Sequence, residues 1–407
     1  MTGSRTTPNP PGHAGSVAFP WLPAMQAPTI EAALRDVDSA KVRFRRDAAF
    51  ALRDAAGEQA AAAVAALRKL LDDADATVRA LALESLAVRR ETDAFEAVLR
   101  KVDDPDETVR TAAVEAAAAL AAEPERLLPL FRHEKPDVRA AACGALAELG
   151  GPAVEQALAG ALEDEVAEVR AVAAAMLGWW YPRRRAAELR RALEDPHVAV
   201  RLAAADGLAW AGDDSGREAL LRIVRGGVRD EAWERAFARL ARVARPEDAP
   251  LLAANGRWPT GRHRRLLALA GLARLGDEAA RFHLRKWLSN RDAQRRGAAL
   301  LAVGLAGAAE FQPEIEQELA RPESPLFPAA VYAAIQLAEP SVAPVLVRAA
   351  RETADRAVFE ELAAAAADLV RVLGDRAPAD LAALAEAEFE ARGADGKGGV
   401  EPEPADG

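Results

Sequence analysis

The sequence predicts an all-α protein, a right-handed α-solenoid (superhelix) of about eleven helix pairs. Three observations predict it. First, one phrase keeps returning, an acidic turn followed by Val-Arg and then Ala and Leu at helical spacing. The clearest copies are "DDADATVRALALESLA", "DDPDETVRTAAVEAAAAL", "KPDVRAAACGALAELGG", "EDEVAEVRAVAAAMLG" and "EDPHVAVRLAAADGLAWAG". Second, their arginines, Arg79, Arg110, Arg139, Arg170 and Arg201, stand 31, 29, 31 and 31 residues apart, a period that belongs to stacked supersecondary units. Third, a chain that is 51% hydrophobic, mostly Ala and Leu, with only 5% aromatics, has the composition of helices rather than sheets.

In chain order, residues 1–29 form a leader rich in Pro, Gly, Ser and Thr that is expected to be disordered, with "VAFPWLPAM" as its sticky portion. Two readings stand for it: a docking peptide around Trp21, or residues that precede a start at Met25. It lacks the compact apolar core of a secretory signal. The array is expected over 30–392, opened by a helix in "APTIEAALRDV" and closed by one in "APADLAALAEAEFEA". It is most regular at 72–212. Weaker copies flank that stretch: "VRFRRDAAFAL" before it, and "VRDEAWERAFARL", "RHRRLLALAGLARLG", "QRRGAALLAVGLAG", "LFPAAVYAAIQLAEP" and "RAVFEELAAAAADLV" after it.

Within one unit, Phe95, Val98, Leu99 and Val102 share one face of a first helix. Asp104 reads as the N-cap of the second, with Pro105 and Glu107 in its first turn. Val109, Ala113, Ala116 and Leu120 then share that helix's apolar face. Neither helix can bury its stripe alone, so neighbouring pairs must stack. An irregular insertion is expected at 245–262, where "NGRWPTGRHRR" stretches the spacing from Arg229 to Arg265 to 36 residues. Residues 393–407 are expected to be a disordered acidic tail.

The Asp-x-x-x-Val-Arg-x-x-Ala-x-x-Ala-Leu pattern resembles HEAT repeats, in particular the short HEAT-like type found in phycobilin lyases, over roughly residues 30–392. The resemblance implies a scaffold more than an enzyme. It also implies that Arg79, Arg110, Arg139, Arg170 and Arg201 bond to acidic turns of their own or the next repeat and are structural. Deoxyhypusine hydroxylases resemble this fold and bind iron through several His-Glu pairs. Here there is one, His133-Glu134, and it falls in the acidic turn. Cys143, within "AACGALAEL", reads as a packed small residue, so a lyase reading rests on fold analogy alone.

The residues themselves offer no catalytic constellation. There is no phosphate-binding Gly-rich loop, no His-Glu-x-x-His and no Gly-x-Ser-x-Gly. The five histidines, His13, His133, His197, His263 and His283, lack ligand spacing. No cofactor and no metal is expected. A single cysteine excludes an internal disulfide framework and suits a reducing compartment, so a cytoplasmic location is expected. The uncharged run 297–309 is 13 residues, too short to span a bilayer.

Charge and aromatics mark the candidate partner-binding residues. Residues 257–296 carry a net charge of +8 and residues 297–407 carry −12, within a total of −10. Six of the seven Trp lie between 179 and 287. Trp179 and Trp210 each fall nine residues after a repeat arginine, about 100° off the apolar stripe, so their rings are expected to flank the core and meet. They read either as an aromatic step for a partner or as plugs between helices. The partner-binding set is Trp179, Trp180, Trp210, Arg257, Trp258, Arg262, Arg264, Arg265, Arg285, Lys286 and Trp287. The function expected is a non-catalytic scaffold or adaptor that binds a protein segment on its concave or loop face. Nucleic-acid binding through the basic 257–296 band is the disfavoured alternative, against the acidic total. Partner identity and oligomeric state stay open at this level.

Overall fold

The computed structural model describes residues 28–121, 123–226, 230–257, 261–337, 339–353, 356–373 and 376–386. The expected leader, but for its last two residues, lies outside the described residues, as do Trp258 and the expected acidic tail. All regular secondary structure among the described residues is helical. The chain divides into two compact units, with the boundary along the sequence between Ala219 and Leu220.

The amino-terminal unit stacks helix pairs in order: α1 (Ile30–Asp36) with α2 (Val42–Leu52), α3 (Ala60–Leu70) with α4 (Ala76–Val88), and α5 (Phe95–Leu99) with α6 (Glu107–Leu120). A 3₁₀ stretch, Pro124–Arg132, then pairs with α7 (Pro136–Leu149), followed by α8 (Pro152–Ala161) with α9 (Ala167–Trp180) and α10 (Ala186–Ala192) with α11 (Val198–Trp210). The border between units falls within α12 (Asp214–Arg225). The carboxy-terminal unit continues with α13 (Glu231–Val243), α14 (Ala249–Asn255) with α15 (Arg262–Arg274), and α16 (Glu278–Leu288) with α17 (Ala293–Leu305). It ends with α18 (Gln312–Leu319) and α19 (Phe327–Leu337), α20 (Ala343–Glu352) and α21 (Arg356–Leu373), and a closing α22 (Ala379–Ala385). Counting α12 with α13, that makes eleven pairs among the described residues. Each unit is an α-solenoid.

The apolar faces pack as their periodicity requires. Val109, Ala113, Ala116 and Leu120 are all buried, as are Phe95, Val98 and Val102. Two local expectations need correction. The N-cap of α6 is Asp106, whose carboxylate accepts from the N–H groups of Thr108 and Val109. Asp104 lies two residues earlier, buried, because an arginine of the preceding repeat already holds it. The first helix of that unit also tightens to 3₁₀ at Arg100–Asp103, which leaves Leu99 half-buried while Val102 stays in the core. Within the expected irregular insertion 245–262, Ala249–Asn255 forms α14, the first helix of a pair.

What locks one pair to the next is a two-ended arginine clamp. Arg139 donates through Nε and Nη2 to Asp164 of the next turn, at 2.7 and 2.9 Å. Its Nη1 donates to the carbonyl of His133, six residues before it, at 2.8 Å. The same two-way grip recurs for Arg79 (Asp104 ahead, the Asp73 carbonyl behind) and for Arg170 (Asp195 ahead, the Asp164 carbonyl behind). Arg45 joins the series through Asp73 and the carbonyl of Ser39. Arg201 and Arg296 hold the carbonyls of Asp195 and Asn290 six residues back. The residue at minus six also folds its own turn: Asp73, Asp104, Asp164 and Asp195 each accept the N–H two residues on.

One joint differs. At minus six from Arg139 stands His133, whose Nδ1 accepts the Lys135 N–H at 3.2 Å. With Nδ1 occupied as an acceptor, Nε2 carries the proton toward Asp103 at 3.1 Å. With the His133 ring engaged in its own turn, Arg110 pairs with Asp137 instead, at 2.6 Å. His133 is thus a turn-former.

The clamp gives stability a defined pH dependence. The Arg45 hydrogen bonds hold Asp73 below the usual carboxylate range, and those of Arg170 do the same for Asp195. At Asp104 and Asp164 burial opposes, yet the hydrogen bonds of Arg79 and Arg139 bring the net shift down. A carboxyl depressed in the folded state adds stability above its unfolded value of 3.8 and loses that stability as pH falls through the lower folded value. Amide-exchange protection of α4 to α11 is therefore expected to drop below about pH 4, and Asp164→Asn should flatten that drop. An undiminished drop in this variant would remove the clamp as its cause.

Candidate functional site

In each unit the second helices of successive pairs pack directly on one another, as in α4 on α6, α7 on α9, α9 on α11, and α17 on α19. Small residues set that closeness. A Cβ built on Gly207 would sit 2.3 Å from the Cα of Gly178, and one on Gly304 would sit 2.6 Å from the Cα of Ala333. The layer with the closer helices is the inside of a bend. In the carboxy-terminal unit this is direct: Arg242 of α13 donates to Gln336 of α19 at 2.7 Å, past two intervening second helices.

On the corresponding face of the amino-terminal unit, α9 and α11 present Trp179 and Trp210. The Gly178–Gly207 contact, one residue before Trp179 and three before Trp210, draws the two helices together, and the ring centroids lie 6.0 Å apart with planes tilted by 37°. Both rings are half-buried. They share one register, nine residues after the clamp arginine. At that register α7 carries Glu148, α6 Ala119 and α4 Val88, all exposed. Four residues earlier, the exposed side chains are Glu84 on α4 and Glu115 on α6, with half-buried Gly144 on α7 and Ala175 on α9. A track of small residues thus runs from an acidic end to an aromatic end.

The acidic end of the track has its own electrostatics. Burial pushes the carboxyls of Glu84 and Glu115 above their ordinary value, although both side chains are exposed. Glu115 is raised further by the negative charges of Glu84 and Glu148, while Arg53 tempers Glu84.

The remaining expected site residues fall into separate settings. Trp180 is half-buried beside Tyr181, and the arginines that follow are largely committed. Arg184 and Arg185 both clasp Glu155, which is only 3% exposed, at 3.0 and 2.7 Å. Arg264 stacks over Trp233 at 4.5 Å and reaches Glu234 at 3.3 Å. Arg265 lies over half-buried Trp287 at 5.3 Å. Arg257, Arg262, Arg285 and Lys286 are exposed. Beside the last two on α16 stands Phe282, 66% exposed, which the sequence reading passed over. Glu84, Glu115 and Glu148 were passed over too. Their signal was their register from the repeat arginines, five residues on for two of them and nine for the third.

Chemically reactive groups do not converge. Cys143 is fully buried, and burial pushes its thiol up to about 12, which suits packing. Among the described residues no group of three or more His, Cys, Asp or Glu is placed to hold a metal ion, and no helix is long and apolar enough to cross a membrane.

The family profile described as HEAT repeats matches residues 124–178 and 159–241. Among solved structures, the Escherichia coli protein YibA is 15% identical with a TM-score of 0.37, over 70% of this chain and 93% of that one. Importin beta is 15% identical with a TM-score of 0.44, over 86% of this chain and 56% of its own. Kap121p is 11% identical with a TM-score of 0.32, over 85% and 46%. The chain thus spans about half the length of the latter two. No curated protein matches the sequence. The clamp seen within the matched region also operates outside it at Arg45, Arg79 and Arg110, and its backward half at Arg296.

Proposed function

We propose that this HEAT-repeat protein is a non-catalytic interaction scaffold that holds a protein segment along the second-helix face of its amino-terminal unit, anchored on Trp179 and Trp210. The observation that carries this reading is the ring pair itself. Two indoles held 6.0 Å apart by a glycine contact and left half-open to solvent form a rigid apolar step of the kind that dominates binding energy at interfaces. The floor of Ala119, Gly144 and Ala175 leaves room for a segment to lie close to the helices. A second contact surface is proposed on the carboxy-terminal unit, where exposed Arg257, Arg262, Arg285 and Lys286 suit an anionic partner. Were that partner a nucleic acid, affinity for this surface would fall steeply with salt.

The test is selection from a displayed random-peptide library against the wild-type chain and the Trp179→Ala, Trp210→Ala double variant. Peptides selected by the wild type are expected to bind the double variant at least tenfold more weakly. The double variant should melt close to wild type, because both rings lie at the rim of the core. Equal binding by the two proteins would remove the ring pair as the anchor.

A further inference from the structure

We infer that residues 17–25, "VAFPWLPAM", dock on the outer edge of the first helix pair of the same chain and close that end of the array, with Trp21 against Phe44 of α2. The inference stands apart from the Trp179–Trp210 reading and rests on a register. In α4 the edge that meets the preceding second helix is marked by two side chains. The Ser85 hydroxyl donates to the carbonyl of Ala49, and Arg89 donates to that of Ala55. Val78, seven residues before Ser85, lies on the same edge. Val109, Val138, Val169 and Val200 hold its register on α6, α7, α9 and α11, and all five valines are at most 1% exposed.

On α2 the same register carries Phe44, and there the pattern breaks. The ring is 40% exposed, and among the described residues no helix precedes α1 to cover it. Ala48 and Ala51, further along that edge, are buried, so the open part is its beginning. A stacked array needs its terminal faces to be polar or covered, and an exposed phenyl ring is neither. The Lys41 ammonium stands over this ring at 5.6 Å from its centroid, a cation that an arriving indole can share.

Composition and reach identify the occupant. Residues 17–25 hold Phe19, Trp21, Leu22 and Met25 and no charged side chain, so leaving them in water is unfavourable. They lie outside the described residues. Trp21 is eight residues from Thr29, the N-cap of α1, a reach of at most about 26–29 Å. α2 packs directly on α1, about 8–10 Å away, which is well within it. The Trp179–Trp210 pair lies beyond it, since the path from α2 through α4, α6 and α7 to α9 adds about 32–40 Å. Pro20 and Pro23 oppose a helical form, so the segment offers its side chains as an extended strip. A tether this short sets an effective concentration in the millimolar range, and a contact of modest affinity is then enough.

A double-mutant cycle in the full chain, read by hydrogen exchange of the α1 and α2 amides, tests the contact. Trp21→Ala and Phe44→Ala are each expected to speed that exchange at least fivefold and to leave α7 to α11 unchanged. Phe44 is exposed and Trp21 precedes the helices, so both variants should keep the fold. Combining them should add little to either alone, the signature of a shared contact. Additive effects, or unchanged exchange in Trp21→Ala, would overturn the inference. Sedimentation equilibrium at the same concentrations identifies whose segment is docked. A monomer is expected, whereas α2 protection that rises with concentration and needs Trp21 would assign the segment to a second copy and overturn docking within one chain.

Discussion

Replacing Arg139 with alanine is expected to cost the amino-terminal unit about 3–5 kcal/mol, the usual loss when one partner of a buried ion pair is removed. The guanidinium is 9% exposed and the Asp164 carboxylate 11%, so water cannot readily take over. The substitution strands that carboxylate, and it leaves the carbonyls of His133 and Glu134 without the donor that reaches them at 2.8 and 3.1 Å. Arg139→Lys should recover only part of the loss, since an ammonium cannot serve both ends of a planar fork. Arg183→Ala, on an exposed side chain one repeat later, should stay within about 0.5 kcal/mol of wild type. Repeat arrays open locally, so hydrogen exchange over α7 to α9 is the appropriate readout alongside urea unfolding. A loss below about 1 kcal/mol would mean that the clamp is geometry without energy.

Gly207→Ala should destabilise the same unit by about 1–3 kcal/mol, the range for overpacking. The sign is the test, because alanine in place of a mid-helix glycine ordinarily gains up to about 1 kcal/mol. Here the new methyl would meet the backbone of Gly178, at 2.3 Å from Cα and 3.1 Å from the carbonyl carbon, and no rotamer change relieves that. The helices must part, and Trp179 and Trp210 with them, so the near-ultraviolet circular dichroism of the indoles should change in parallel. Gly160→Ala on α8 is the matched control: its Cβ would find nothing within 4 Å, and it should stabilise slightly. Stabilisation by Gly207→Ala would show that the α9–α11 contact yields freely.

Much of the fold was legible because it is periodic. The recurrence of Val-Arg and the apolar spacing located the second helices of the pairs from α4 to α11, and burial follows those spacings at Val109, Ala113, Ala116 and Leu120. The turn was read less well. In "DDPDE" three aspartates compete for one cap, and the choice of Asp106 over Asp104 depends on Arg79, 25 residues away from Asp104. Arg45 and Arg296 escaped notice because their turns use Ser39 and Asn290, which fold the same loop without an acidic signature. The Trp pair was legible from equal register. The acidic end of the track was not, because scattered glutamates in a chain with 63 acidic residues look like a solvated face until the helices carrying them are set side by side.

The clamp has a direction, and with it a grammar of inheritance. Every complete repeat carries a plug, its arginine, and a socket, the turn six residues earlier. A duplication or deletion that adds or removes one whole period, cut at equivalent points, rejoins plug to socket and keeps the reading of every other joint. A cut of any other length leaves both ends unmatched. The array can therefore lengthen or shorten in steps of about 31 residues without inventing a new contact. The joint between Arg110 and Asp137 records the tolerance of the scheme: where the socket became a histidine, the plug found an acid four residues further on.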